Sequence, residues 1–189
     1  MDIDIARQIA LRIIDDVKPA VSRIEIAGSI RREKPQVKDI ELVALVSDYD
    51  LLFSKIRNHG KFIKPGAKEI IDYEPVAGAK YLRVLLNEGV KMDFFIATKE
   101  NWGPIFCMRT GSGVGPDGSS YTAFIPHMFR RWKKVSNGGM MVGGIPTRPD
   151  GTQVPCYEEE DFFNLLRIEY VHPRDRSSYK AIKPKLMNV

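Results

Sequence analysis

The sequence has little cysteine and little histidine. Two cysteines in 189 residues, Cys107 and Cys156, are too few for a disulfide scaffold or a cysteine-rich zinc site. A reducing, intracellular setting is therefore expected. The three histidines, His59, His127 and His172, show no metal-ligand spacing. No apolar run approaches the roughly 20 residues that span a bilayer, so no membrane partner is expected. The opening Met-Asp-Ile-Asp is acidic, with no apolar stretch and cleavage site behind it, so no secretory signal is expected. Internal repeats and low-complexity tracts are absent. The pairs Gly138-Gly139 and Gly143-Gly144 lack the Gly-Lys-Ser/Thr ending of a Walker loop and read as hairpin turns.

What remains is an ordinary globular composition, 43% apolar and 28% charged, enough for one compact domain or two small ones. Lys and Arg number 29 against 24 Asp and Glu, a net charge of +5 that fits a polyanionic partner without establishing one. Basic residues cluster at Arg31-Arg32, at Arg130-Arg131 with Lys133-Lys134, and from Arg174 to Lys185. Apolar spacing predicts a helix over 4–17, stopped by Pro19. Strands are predicted over 23–27, 39–46, 79–86 and 90–97, the last two around the turn Asn87-Glu88-Gly89. Helices are predicted over 50–58, 101–109, 121–134 and 159–166, the third capped by Ser119 or Ser120. Gly111–Gly118 reads as a loop and 136–156 as hairpins. The first part is thus α/β, or α+β, and the second smaller and more basic, with a boundary near 100–110 and no flexible linker.

The informative stretch is Gly28-Ser29-Ile30-Arg31-Arg32, followed by Asp39-Ile40-Glu41-Leu42-Val43. Alternate residues of a strand share a face, so Asp39 and Glu41 point the same way. Ile40, Leu42 and Val43 make the strand a buried one. Two acids on one face of a buried strand repel and lose hydration, a cost that a divalent cation removes. A third acid, Asp93, lies in another apolar strand. Three carboxylates at a strand edge suit one or two magnesium ions. Taken singly, Asp-Ile-Glu and Asp93 each read as solvated or salt-bridged acids. The upstream turn shifts the balance: Gly28 permits close backbone approach, Ser29 offers a hydroxyl to a phosphate oxygen, and Arg31 and Arg32 supply charge.

This ordered set resembles the nucleotidyltransferase superfamily, and more narrowly the X-family DNA polymerases typified by DNA polymerase beta. The likeness runs through nearly the whole chain. Arg23 to Leu45 is similar to the family's palm segment, and Val90-Lys91-Met92-Asp93-Phe94 to its third-carboxylate strand. Trp102-Gly103, Thr110-Gly111-Ser112 and the closing Tyr170-Val171-His172-Pro173-Arg174-Asp175-Arg176-Ser177 match in order. The resemblance implies a palm with a mixed sheet and flanking helices over residues 1–105 and a small α+β thumb over 106–189. It implies Asp39, Glu41 and Asp93 as ligands of two Mg²⁺ or Mn²⁺ ions, with Asp93 nearest the primer 3′-hydroxyl. Gly28, Ser29 and Arg32 would contact the triphosphate, and Thr110, Gly111 and Ser112 the nucleotide sugar. Lys91 would stand near the primer end. Beside the resemblance, Arg130, Arg131, Lys133 and Lys134 themselves suit either a grip on DNA phosphates or the solvated basic face of an amphipathic helix. The expected activity is templated transfer from dNTP to a primer 3′-hydroxyl on a primer–template or gapped duplex, as in short-gap repair, by a monomer. The chain's size matches the minimal palm-plus-thumb members known from large DNA viruses.

Three departures qualify the likeness. Glu41 replaces the family's second Asp, which favours manganese. Met108-Arg109 stand where the family usually carries two aromatics that help exclude a ribose. Gly113 to Gly118 reads as an inserted or rebuilt loop. Two rival readings follow: a template-independent terminal transferase or RNA-end nucleotidyltransferase, and a nucleic-acid-binding module without catalysis. For Phe129 and Trp132 a core role is expected rather than base stacking, and for Cys107 a helix-core role.

Overall fold

Alternating burial along Asp39–Val46 organises the first half of the chain. Ile40, Leu42 and Ala44 are fully buried on one side, while Asp39 and Glu41 lie half-buried on the other. The computed structural model describes residues 1–67 and 69–185, and the chain divides into two units, Met1–Ala97 and Thr98–Val189. The division falls ahead of the Trp102 helix. Among the described residues no helix is long and apolar enough to cross a membrane.

The first unit is a five-stranded mixed sheet with helices. Its elements are α1 (Ile3–Val17), β1 (Val21–Ile26), α2 (Gly28–Arg31), β2 (Asp39–Val46), α3 (Tyr49–Arg57), β3 (Gly60–Ile63), β4 (Tyr81–Leu86) and β5 (Lys91–Ile96). The sheet order is β1-β2-β5-β4-β3, with β2 and β5 parallel and the other pairs antiparallel. Both long helices start on side-chain caps: Asp2 accepts the Asp4 N–H, and Asp48 the Leu51 N–H, as short acceptors at an N-terminus do. The α1 stripe Ala6, Ile9, Ala10, Ile13 and Val17, and Leu52, Phe53 and Ile56 of α3, pack with Ile40, Leu42, Leu82, Val84, Met92 and Phe94 in one core. A stripe at helical spacing against a sheet face at period two is what closes this layer.

Gly28-Ser29 does not simply end a strand; it opens the helical turn α2. His59-Gly60 does more than stop α3. A strand begins at Gly60, whose missing Cβ would lie 2.3 Å from the Leu85 carbonyl, so only glycine lets the backbones pair that closely.

The second unit holds α4 (Trp102–Thr110), α5 (Phe124–Val135), the hairpin β6 (Met140–Val142) and β7 (Ile145–Thr147), and α6 (Glu159–Leu165). Its core joins Cys107, Phe124, Met128, Trp132, Cys156, Phe162, Phe163 and Ile168. Gly103 lets α4 meet the following chain: a Cβ there would sit 2.0 Å from the Glu158 carbonyl. The expected serine cap on α5 is not used. The helix begins later, at Phe124 after Ala123, and Ser119 bonds within the preceding loop to Thr122. Trp132 is core as expected, but Phe129 is exposed.

Candidate active site

The polar face of the first unit's sheet is built by register. Glu41 of β2 pairs with Asp93 of β5, and Asp93 pairs with Arg83 of β4, so the three residues form one row across three strands. The next row places Asp39 opposite Lys91. Asp39, Glu41 and Asp93 therefore share one face of adjacent strands, the alternation that the sequence predicts.

Asp93 is only 5% exposed, and its carboxylate is fully engaged. The Arg83 guanidinium donates Nε to Oδ1 at 2.7 Å and Nη2 to Oδ2 at 2.8 Å. The Tyr81 hydroxyl donates to Oδ1 at 2.6 Å, and its ring stacks on Phe95. The two-pronged pair holds the Arg83 pKa well above its usual value, chiefly through the hydrogen bonds to Asp93. Burial, then the bond to Asp93, pushes the Tyr81 phenol up. Asp39 is also held above the usual carboxylate range, first by burial and second by the negative charge of Asp93, with Arg83 opposing. Among the described residues no three His, Cys, Asp or Glu side chains are gathered as a metal-ligand group. Register thus aligns the three predicted acids, while Arg83 occupies the third.

The α2 turn stands against this row. The Ala27 N–H donates to the Glu41 carbonyl at 2.8 Å, and Gly28 sits at φ +60° with its missing Cβ pointing at the Glu41 carboxylate, 1.8 Å from Oε2. No residue with a side chain fits there without moving Glu41. The Ser29 hydroxyl is buried with no hydrogen-bond partner, which leaves a donor for an incoming oxygen. Burial lowers the Arg32 pKa against the pull of Glu41 and Asp39, so its cation belongs to the same electrostatic cluster. An all-oxygen donor set suits a hard divalent cation, and an unsatisfied serine beside a half-buried arginine suits a phosphate.

Sequence reasoning missed Arg83 and Tyr81, and chose Lys91 as the cation near Asp93. Lys91 is exposed, one row away from Asp93. The signal was present: the turn Asn87-Glu88-Gly89 sets the Leu86 N–H on the Val90 carbonyl at 2.8 Å. Counting back from that pair puts Arg83 opposite Asp93.

In the second unit Thr110 ends α4 fully buried, and Gly111 packs so tightly that a Cβ would meet the Ile125 and Phe124 side chains. The Ser112 N–H donates to the Arg176 carbonyl at 2.9 Å, and the Ser112 carbonyl accepts from Ile125 N–H at 3.1 Å. The turn's backbone is thus used internally, and Ser112 Oγ donates to the Val114 carbonyl. Arg176 itself is fully buried against the touching rings of Phe163 and Tyr170 and grips Glu159 with two bonds, 2.5 and 3.2 Å. Of the basic set on α5, Arg131 is spent on the Leu166 and Arg167 carbonyls, at 2.9 and 3.2 Å. Arg130, Lys133 and Lys134 are exposed. Comparison with protein-family models and with curated proteins gives no match for the chain.

Proposed function

We propose that the chain is a divalent-metal-dependent nucleotidyltransferase that transfers a nucleotide from dNTP to a DNA primer 3′-hydroxyl under template direction. The observation that carries this reading is the in-register row Glu41–Asp93–Arg83 with Asp39 on the same face, set beside a glycine turn whose serine hydroxyl is buried and unsatisfied. Asp39, Glu41 and Asp93 are the residues that would hold Mg²⁺ or Mn²⁺, whose chemistry there is to acidify the attacking hydroxyl and steady the triphosphate. Ser29 Oγ then donates to a phosphate oxygen, and the Arg32 guanidinium balances the triphosphate charge. Asp93, once its carboxylate is released by Arg83, accepts the proton of the primer hydroxyl at Oδ1 or Oδ2. Arg130, Lys133 and Lys134 supply phosphate contacts. Gly111 and Ser112 contribute shape rather than free backbone donors.

A second reading, a nucleic-acid-binding protein without this chemistry, is favoured by one observation: both Asp93 oxygens are already taken by Arg83. Primer extension on a gapped duplex, with each dNTP and then each rNTP, in Mg²⁺ and in Mn²⁺, separates the readings. Template-chosen extension that Asp39→Ala and Asp93→Ala abolish supports the polymerase. Extension indifferent to the template makes it a terminal transferase. No extension on any substrate, with DNA binding intact, selects the binding protein.

A further inference from the structure

One side of α5 does not face the core. His127, Arg130, Arg131 and Lys134 recur at i, i+3, i+4 and i+7 and so share one stripe. That stripe forms the floor of a cavity of about 400 Å³, whose other lining residues are Tyr121 and Tyr179. Tyr121 comes from the loop before the helix and Tyr179 from the closing segment. The Tyr179 N–H donates to the Thr122 carbonyl at 3.1 Å, which brings the two tyrosines to the same cavity. Lys133 lies off this stripe, lining a second cavity with Met140 and Met141.

The wall chemistry is specific. Tyr121 is 75% exposed, with the Arg130 guanidinium 5.2 Å from its ring centre. Tyr179 stacks on His127, ring centres 5.1 Å apart and planes 28° from parallel. Arg130 Nη2 donates to the Tyr121 carbonyl at 2.8 Å and faces His127 Nδ1 at 3.2 Å, so that nitrogen accepts and the imidazole is neutral there. Burial, then Arg130 and Arg131, holds the His127 pKa below its usual value. Arg130 Nε and Nη1 and the Lys134 ammonium have no protein partner among the described residues, and no carboxylate lines the cavity.

We infer that this cavity is a binding site for one unpaired nucleotide of a single-stranded nucleic acid, its base laid on the tyrosine faces and its phosphates on Arg130 and Lys134. A volume of a few hundred Å³ suits a single nucleotide. Aromatic faces alternating with unpaired cations are the two elements of single-strand binding, stacking and phosphate attraction. A duplex keeps its bases stacked inside and leaves the tyrosines unused. An acidic peptide uses the cations but not the faces. The inference does not depend on the catalytic reading, because no carboxylate of the sheet takes part.

The test is fluorescence anisotropy with a labelled oligothymidylate and a blunt duplex of equal charge, in EDTA, at two salt concentrations. Tyr121→Leu and Tyr179→Leu each should weaken single-strand binding about tenfold, as loss of one stacked base does, and leave duplex binding unchanged. Lys133→Ala, which does not line the cavity, should lower both by the same small factor. Tyr121→Leu alters an exposed side chain, so its folding is not at risk, and circular dichroism checks Tyr179→Leu. Unchanged single-strand affinity in both tyrosine variants overturns the inference. So does an equal loss for single strand and duplex, or displacement of the oligonucleotide by polyglutamate at matched charge.

Discussion

Replacing Arg176 by Met isolates the cost of an unpaired buried acid. Arg176 is completely inaccessible and Glu159 4% exposed, so the substitution leaves a carboxylate in the core without its guanidinium partner, the Tyr170 hydroxyl still donating from 3.2 Å. The lost bond from Arg176 Nε to the Val171 carbonyl, 2.8 Å, orphans a further acceptor. Removing one partner of a buried pair costs about 3–5 kcal/mol, and an orphaned acceptor about 1–3 kcal/mol more. For a domain of this size each kcal/mol lowers the midpoint by about 4–8 °C, so the second unit should lose at least ~16 °C. Urea or thermal unfolding followed by tryptophan fluorescence is a suitable assay, because Trp102 and Trp132 are the only tryptophans and both lie in that unit. The double variant Glu159→Leu/Arg176→Met removes both charges and should recover most of the loss. A single variant within about 1 kcal/mol of the parent, or a double variant no better than the single, refutes the argument that an unpaired charge sets the cost.

Three further outcomes are expected. Gly28→Ala forces a Cβ into the Glu41 carboxylate at a positive φ, so primer extension should be lost while stability falls by only about 1–2 kcal/mol; extension at parental rate contradicts the placement of Glu41. Arg83→Ala strips Asp93 of its partner and should destabilise the first unit by about 2–4 kcal/mol, the lower end because Arg83 is 26% exposed. Added Mn²⁺ should then raise the melting temperature of this variant more than that of the parent, and an equal rise counts against competition between cation and arginine. The Asp39 pKa is raised above its ordinary 3.8, so its protonated form favours folding below that value and the contribution is lost as pH rises through the raised pKa. Asp39→Asn should therefore stabilise the metal-free protein at neutral pH and not at pH 3; a gain that is the same at both pH values excludes the charge effect.

Much of this was legible in the sequence because the signals are periodic. Strand β2 was read at its observed bounds, since Ile40, Leu42 and Ala44 alternate with Asp39 and Glu41. The predicted helices differ from the observed ones only at their ends, with loop bonds of Ser119 replacing the expected cap of α5, while the short turn α2 was not foreseen. The strand β3 was missed because Gly60-Lys61-Phe62-Ile63 is short and follows a helix stop. Arg83 was missed because a pairing partner is a property of register, not of local pattern. Arg131 was assigned to DNA because its charge is visible in the sequence and its bonds to the Leu166 and Arg167 carbonyls are not. Tyr121 and Tyr179 lie 58 positions apart, and only the tertiary fold brings them together.

The strand order has a consequence for assembly. Strands β1 and β2 are joined by a short crossing of chain and pair with each other, while β3, β4 and β5 form a second set of sequential antiparallel partners. Only the parallel ladder between β2 and β5 stitches the two sets, and it links residues about fifty positions apart. Such non-local parallel pairing is the slow, late step of folding. Glu41 stands on one bank of that seam and Asp93 on the other, so neither half can display the acidic row alone. Completion of the sheet is what assembles the row: before it, one half holds Asp39 and Glu41 with the α2 turn, and the other holds Asp93 with Arg83.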